Sequence, residues 1–543
     1  MILPFFFFLF RVIITRMSES RSKTESGVLK ATGILVVTNM LSSLLGYVKD
    51  IVMSSTFGMG GELAAYNAAF TIPDTIYTVL VGGGLSAAFI PVFEVYIAKK
   101  QYEEGYKMAS TVLNLVAIFA AVLCGLGIIF TPQLMPIVTD YAKWQPETIQ
   151  LSFTLTRIMF FQGFFMCLAG ICMGILQSYK DFAPPSIGAV FYNIAIIGVG
   201  VLLLTLGTGI AGFSIGVVVG AIVEVLVMIF PIIKHGFKYK RVIDFDHEGV
   251  KQFFKLFGPV FIGVAVTQIN FVVNKRFASG VSESMLNVVQ YSQRIMQLPI
   301  NIFAYSMALS IFPTMVEHCS KKDMNSYRSD ISMATRNVTF IILPCAVGLI
   351  SIRVPFVRAI YLQGNFEASD VPIMASVLAL YCVGMIGYSV RQIMLQGFYA
   401  VKETRTPVKI NIFILCLNMV LTTIFSKFWG GNGIAIAYST AGICSMIIQT
   451  FFLRRKVGRI NGKEIKDSMI KCAVSCAVMF VVVTAAIIIF EHNISVDNKK
   501  YQILELMVLL MVGGGTYGVM AYILKMSELT GVISIFKRKF LGK

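Results

Sequence analysis

Several polar and charged residues sit inside stretches that are otherwise apolar, and their spacing places them on shared helix faces. Gln290, Gln293, Arg294, Gln297 and Asn301 recur at the helical repeat and form the cleanest of these stripes. Thr267, Asn270 and Asn274 follow the same period. So do Asn67, Thr71, Asp74 and Thr78, at i, i+4, i+7 and i+11. Lys49 and Asp50 lie on a stripe that starts at Ser42 or Ser43 and runs through Gly46 to Ser54. The chemistry these types could do is anion binding. Arginine offers a planar fork that fits phosphate oxygens, and lysine a mobile point charge. Lys49 and Arg294, set against Asp50 and with Asp74 nearby, suit a phosphate-bearing substrate held in a site of low dielectric. Each has a structural reading beside this one. Lys49 and Asp50 could end a span at the outer headgroups, Arg294 could be ion-paired or snorkel, and Asp74 could cap a break after Pro73. Glu224 and Arg157 read as structural partners, and Arg391 is open between the two roles.

No catalytic constellation accompanies these residues, and the loops are too short for a soluble catalytic domain. Gly82-Gly83-Gly84 and Gly513-Gly514-Gly515 lack the strand, lysine and helix of a phosphate loop, and read as sites of close packing or bending. The histidines His235, His247, His318 and His492 share no ligand spacing. The ten cysteines include no C-x-x-C pair and read as packing residues. No metal, cofactor or catalytic residue is expected. Transport work would then draw on an ion gradient, the membrane potential, the substrate gradient or a partner, and the coupling ion is unknown.

The elements that must position these residues are membrane helices. The chain has 543 residues, 56% hydrophobic and 14% charged, with mean hydropathy +0.77. A soluble protein carries about 25% charged residues, so soluble classes are excluded. The net charge of +18 could suggest nucleic acid, but its cations are scattered in short clusters between apolar runs. That is the pattern of loops in a polytopic protein, and no nucleic-acid partner is expected. Windows of about 20 residues give fourteen spans, near 29–56, 63–97, 108–131, 149–178, 185–206, 209–233, 252–278, 284–318, 332–360, 370–397, 407–426, 431–453, 469–490 and 502–524. One alternating set of loops and tails holds 33 Lys and Arg and the other 8, which places both termini in the cytoplasm of a multi-pass cell-membrane protein. The apolar stretch Leu3–Phe10, within Met1–Thr15, is too short to span; either it lies at the interface or translation starts at Met17.

The chain also resembles itself at an offset near 222 residues. Pro91 with Lys99-Lys100 returns as Pro313 with Lys321-Lys322. Leu176-Gln177, Lys180-Asp181 and Pro185 return as Leu395-Gln396, Lys402-Glu403 and Pro407. Six spans per copy give parallel repeats, a transporter architecture with the substrate site expected between two lobes. The expected organisation is an N-terminal cytoplasmic or interfacial segment (1–28), an N-lobe (29–234), a linker (235–251) and a C-lobe (252–456). A cytoplasmic loop (457–468), an added helix pair (469–524) and a cytoplasmic tail (525–543) complete it. The fold class is all-α and polytopic.

Particular motifs carry a family resemblance. Leu44-Leu45-Gly46-Tyr47-Val48-Lys49-Asp50, Phe57-Gly58-Met59-Gly60, Ala69-Phe70-Thr71-Ile72-Pro73-Asp74 and Ser86-Ala87-Ala88-Phe89-Ile90-Pro91-Val92 resemble the opening of the MurJ (MviN) family of bacterial lipid II flippases. Tyr291-Ser292-Gln293-Arg294 through Leu298-Pro299 looks like its span 8. Gly397-Phe398-Tyr399-Ala400 and Thr404-Arg405-Thr406-Pro407-Val408 look like its span 10–11 loop. The resemblance covers spans 1 to 12 and, by count, the added pair, and extends to the multidrug/oligosaccharidyl-lipid/polysaccharide exporter superfamily. It implies a fourteen-helix alternating-access fold, a cationic cavity for a lipid-linked diphosphate sugar, and a groove for the polyprenyl tail along spans 13–14. Lys49 and Asp50 match the family's Arg-Asp pair, and Arg294 its span 8 arginine. Ser43, Ala64, Tyr77 and Gly82 depart from it, standing where familiar members carry Arg, Asp, Arg and Glu. The expected function is therefore flipping of a lipid-linked cell-wall precursor, most of all lipid II. The alternatives are another undecaprenyl-diphosphate glycan or a non-transporting scaffold of cell-wall assembly. Expected partners are the lipid-linked substrate, membrane lipids and cell-wall synthesis proteins.

Overall fold

The computed structural model describes residues 25–82 and 88–529. The expectations for Met1–Thr15, for Gly83 and Gly84, and for the tail beyond 529 lie outside the described residues, as does the side chain of Thr267. Within them the chain is helical, with no strand. The first repeat comprises α1 (Glu25–Phe57), α2 (Gly61–Ala69), α3 (Thr71–Tyr77) with a π-helical turn Thr78–Gly82, α4 (Ile90–Ala98), α5 (Tyr102–Ile129), α6 (Thr131–Val138), α7 (Pro146–Ser178), α8 (Ala183–Thr205) and α9 (Ala211–Lys234). The second comprises α10 (Glu248–Val281), α11 (Glu283–Pro299) with a π-helical turn Ile300–Tyr305, α12 (Ser306–Ser320), α13 (Met324–Ser351), α14 (Arg353–Tyr361), α15 (Asp370–Val383), α16 (Met385–Ala400) and α17 (Arg405–Val457). The added pair is α18 (Gly462–Asn493) and α19 (Lys499–Ile523).

The repeat read from short motifs recurs in the order and length of helices among the described residues of the two copies. Helices α5 and α13 are both 28 residues long and start 222 positions apart. The short helices α6 and α14 follow them, and each repeat's second span loosens into a π turn at the same place. Eleven helices among the described residues are long and apolar enough to cross a membrane. One of these, α17, has 53 residues and at 1.5 Å per residue would run about 80 Å, far beyond a hydrocarbon core of about 30 Å. It breaks at Gly430 (φ 54°, ψ −130°). The Gln449 amide on the second arm donates to Asn411 on the first at 3.2 Å, and Ile410 and Ile414 pack with Ala441. Helix α17 is therefore a hairpin of two spans. With α1 and the broken series α2–α4, each of the fourteen expected segments coincides with helix among the described residues.

By its internal contacts the chain divides into two compact units, one ending at Asn287 and the other starting at Val288. Helix α10, the opening helix of the second repeat, groups with the first unit, where it packs on α4, α5 and α6. In that unit α8 and α9 approach closely through small residues: a Cβ on Gly216 would lie 2.9 Å from the Ile196 carbonyl oxygen, and one on Gly220 2.9 Å from that of Tyr192. In the second unit the added pair shares a core with α13, in which Cys472, Cys476, Met479 and Val483 meet Leu506, Leu509 and Phe340. Ion pairs pin both its ends. Arg358 on α14 bonds Glu505 at 2.8 Å and Glu491 at 2.6 Å, and Arg336 on α13 lies 3.6 Å from Glu464 and 3.7 Å from Glu528.

Candidate functional site

In the first unit, α1 presents Lys49 and Asp50, whose charged groups are 3.6 Å apart and whose side chains are only 12% and 5% exposed. The Lys49 ammonium also lies 5.8 Å from the centre of the Phe70 ring, a cation–π contact that partly replaces lost hydration. Phe70 joins α2 to α3, and the next residue, Thr71, is buried. Its hydroxyl accepts a hydrogen bond from Lys275 on α10 at 3.4 Å, and Lys275 lies 4.9 Å from the centre of its own Phe271 ring. Two ammonium groups from different helices therefore meet one two-residue junction, with Asp50 as the near counter-charge. Asp74 stands one turn further along α3, half-buried; Asn270 and Asn274 are half-buried on α10, beside Lys275 in sequence.

Lys275 belongs to the smaller alternating set of eight cations, a position that predicts a loop residue. Its ammonium instead bonds a buried threonine from within the helix. The available signal was its place inside the 252–278 segment, next to Asn274. Asn67, one member of the span 2 stripe, serves a different purpose. It is buried and donates to Asn287 at 2.8 Å, while the Asn287 amide donates to the carbonyls of Met59 at 2.8 Å and Gly60 at 3.2 Å. That network satisfies buried polar groups at the start of α2.

In the second unit, α11 carries its stripe on one open face. Gln290, Gln293, Arg294 and Gln297 are half-buried and Asn301 is exposed, whereas Val288, Val289, Tyr291, Ser292, Ile295 and Met296 on the other face are buried. The stripe ends in the π turn that follows Pro299. Such turns widen the helical ladder and recur at functional sites. The Arg391 guanidinium donates to Asn411 at 3.4 Å and lies 5.7 Å from the Tyr388 ring centre. Arg157 is exposed, and Glu224 packs against Gly188.

Chemically, the first patch offers two ammonium groups near one carboxylate, so an incoming phosphate can take over the role of Asp50. The second offers a guanidinium among neutral amides, which can bind phosphate and sugar hydroxyls together. Among the described residues no three His, Cys, Asp or Glu side chains gather as metal ligands.

A family model described as lipid II flippase MurJ matches residues 53–503. A solved structure described as "Lipid II flippase MurJ, inward closed conformation" is similar with a TM-score of 0.75 and 26% identity, over 90% of this chain and 99% of that one. A relative from Burkholderia cenocepacia, "Lipid II flippase MurJ", is 24% identical over 77% of this chain and 82% of its own length. One from Bdellovibrio bacteriovorus, "Probable lipid II flippase MurJ", is 23% identical over 95% and 98%. A multidrug resistance MATE family transporter of the MOP superfamily shares the fold, with a TM-score of 0.66 at 16% identity over 79% of this chain and 98% of that one.

Proposed function

The chain belongs to the MurJ family, its match spanning residues 53–503 of 543, and from that membership we propose that it flips a polyprenyl-diphosphate-linked cell-wall precursor, lipid II, from the inner to the outer leaflet by alternating access. Lys49 and Arg294 engage the diphosphate, with Asp50 as the resident counter-ion that the substrate displaces. Asn270, Asn274, Gln290, Gln293 and Gln297 offer hydrogen bonds to sugar and peptide groups, and Asp74 tunes the charge beside Thr71. The added pair α18–α19 carries the polyprenyl tail, and both termini lie in the cytoplasm, where the cation-rich loops belong. The protein is a transporter rather than an enzyme, and cell-wall synthesis proteins are its proposed neighbours.

One observation carries this reading: the only charged member of the half-open α11 stripe from Gln290 to Asn301 is Arg294, on a helix whose opposite face is buried. A membrane helix retains such a residue for a polar ligand or pathway. Complementation of a flippase-depleted strain tests it. Arg294→Ala should abolish rescue at unchanged protein level; full rescue would remove the proposed role. A second reading, a different undecaprenyl-diphosphate glycan as cargo, is favoured by Ser43, Ala64, Tyr77 and Gly82. Ala64 is fully buried and offers no charge where familiar members carry a carboxylate. Competition between lipid II and other linked glycans for the purified protein separates the two.

A further inference from the structure

Six non-glycine residues among those described adopt a left-handed backbone, and five are lysines: Lys100, Lys180, Lys322, Lys402 and Lys525, with φ of 57°, 60°, 58°, 58° and 49°. They close α4, α7, α12, α16 and α19, the ends of spans 2, 4, 8, 10 and 14. Each makes the same pair of bonds. The Lys180 N–H donates to the Gln177 carbonyl at 2.8 Å and the next N–H, of Asp181, to that of Leu176 at 2.9 Å; at Lys402 the matching bonds go to Tyr399 and Phe398, both at 2.9 Å. This is the Schellman ending, whose left-handed position favours glycine because any Cβ there crowds the backbone. Span 6 ends in the same bonds around Gly236 (φ 79°).

All these helices are even-numbered spans, so a chain that alternates across the bilayer ends them on one face. Left-handed positions that close odd-numbered spans belong to glycines, Gly58, Gly207 and Gly430. Helix C-termini favour cations on either face, so the helix dipole does not account for the asymmetry. A preference for positive loops places lysines on this face, yet it does not require the strained residue. Lys99 and Lys321 show that the preceding, unstrained position accepts lysine equally well. The five side chains are exposed, and none joins an ion pair among the described residues. What sets the left-handed residue apart is its place as the first one off the helix, where its stem starts at the helix end rather than along its side.

We propose that each of these five lysines reads anionic phospholipid: its backbone-pinned stem carries its ammonium to a headgroup phosphate of the leaflet at that span end. The interaction is independent of the cargo.

The test uses the full chain in nanodiscs of phosphatidylcholine, with or without phosphatidylglycerol. Lys180→Gly/Lys402→Gly alters equivalent positions of the two repeats; Lys427→Ala changes an exposed lysine at an odd-numbered span end. In phosphatidylcholine the double variant should melt at or above the parent temperature, since glycine relieves both strained positions. The rise in melting temperature produced by phosphatidylglycerol should shrink by roughly a third to a half in the double variant and stay intact in Lys427→Ala. Phosphatidylglycerol retained on detergent extraction should fall in parallel. An unchanged rise in the double variant, equal loss in Lys427→Ala, or a double variant that melts lower in phosphatidylcholine would each overturn the proposal. So would free inorganic phosphate reproducing the lipid effect.

Discussion

The two repeats share a backbone almost element for element and place different chemistry on it. In the first unit, Lys49 is held by Asp50 and Phe70 while Lys275, on the helix that opens the second repeat, is held by Thr71; charge at Lys49 is answered from within. In the second, Arg294 sits among glutamines on a half-open face. The same contrast appears at the short helices. The carbonyls of Pro136 and Ile137 on α6 accept from Arg276, whereas on α14 the equivalent position to Pro136 is Arg358, bonded to the added pair. A duplicated scaffold thus fixes where a polar group stands, and later substitutions decide whether it binds itself, a neighbour or a ligand.

That contrast can be broken. The largest effect is expected at Arg294. Replacement by alanine should remove transport, and lysine should restore only part of it, because a point charge lacks the planar fork; equal rescue by lysine would mean that simple charge suffices. Next is Arg358→Ala, which leaves the fully buried Glu505 carboxylate without its partner and should cost about 3 kcal/mol. The measurement is thermal melting, and Arg358→Ala/Glu505→Gln should recover much of the loss. Third, Lys49→Ala and Lys275→Ala should each weaken headgroup binding by roughly tenfold, since each phosphate–cation bond contributes about 1.5 kcal/mol. Asp50→Asn should instead tighten binding, because no internal anion then competes. If Asp50→Asn weakens binding as much as Lys49→Ala, the self-neutralised account of the first patch fails.

The smallest effect is one of pH, outside the spans. The Lys456 ammonium and the backbone N–H of Thr406 hold Glu403 down to about 2. A carboxylate lowered on folding stabilises above its unfolded value, near 4.3, and loses that contribution as pH falls through the folded value. Glu403→Gln should therefore flatten acid destabilisation between about pH 4.3 and 2, read from melting temperature against pH, with little change at neutral pH beyond the loss of an exposed pair.

The sequence displayed what is local. Apolar length revealed the spans, period 3.6 revealed the α11 stripe, and the motifs that betrayed the repeat, Lys99-Lys100 with Lys321-Lys322 and Lys180 with Lys402, mark left-handed helix ends that constrain residue choice. Pairings between distant segments stayed hidden because no periodicity encodes them. Asn67 meets Asn287, Lys275 meets Thr71, and Arg358 meets Glu491 and Glu505, each more than 130 positions away. Lys275, next to Arg276 at a span end, looked like a loop cation for the same reason.

The central claim is that cations of both patches hold a lipid-linked diphosphate. Native mass spectrometry of the intact protein, offered undecaprenyl diphosphate-linked lipid II against undecaprenyl monophosphate, tests it most directly. The account predicts preferential retention of the diphosphate lipid, with that preference falling by roughly tenfold in Lys49→Ala and again in Arg294→Ala. Equal retention of both lipids, or a preference untouched by either substitution, would contradict it.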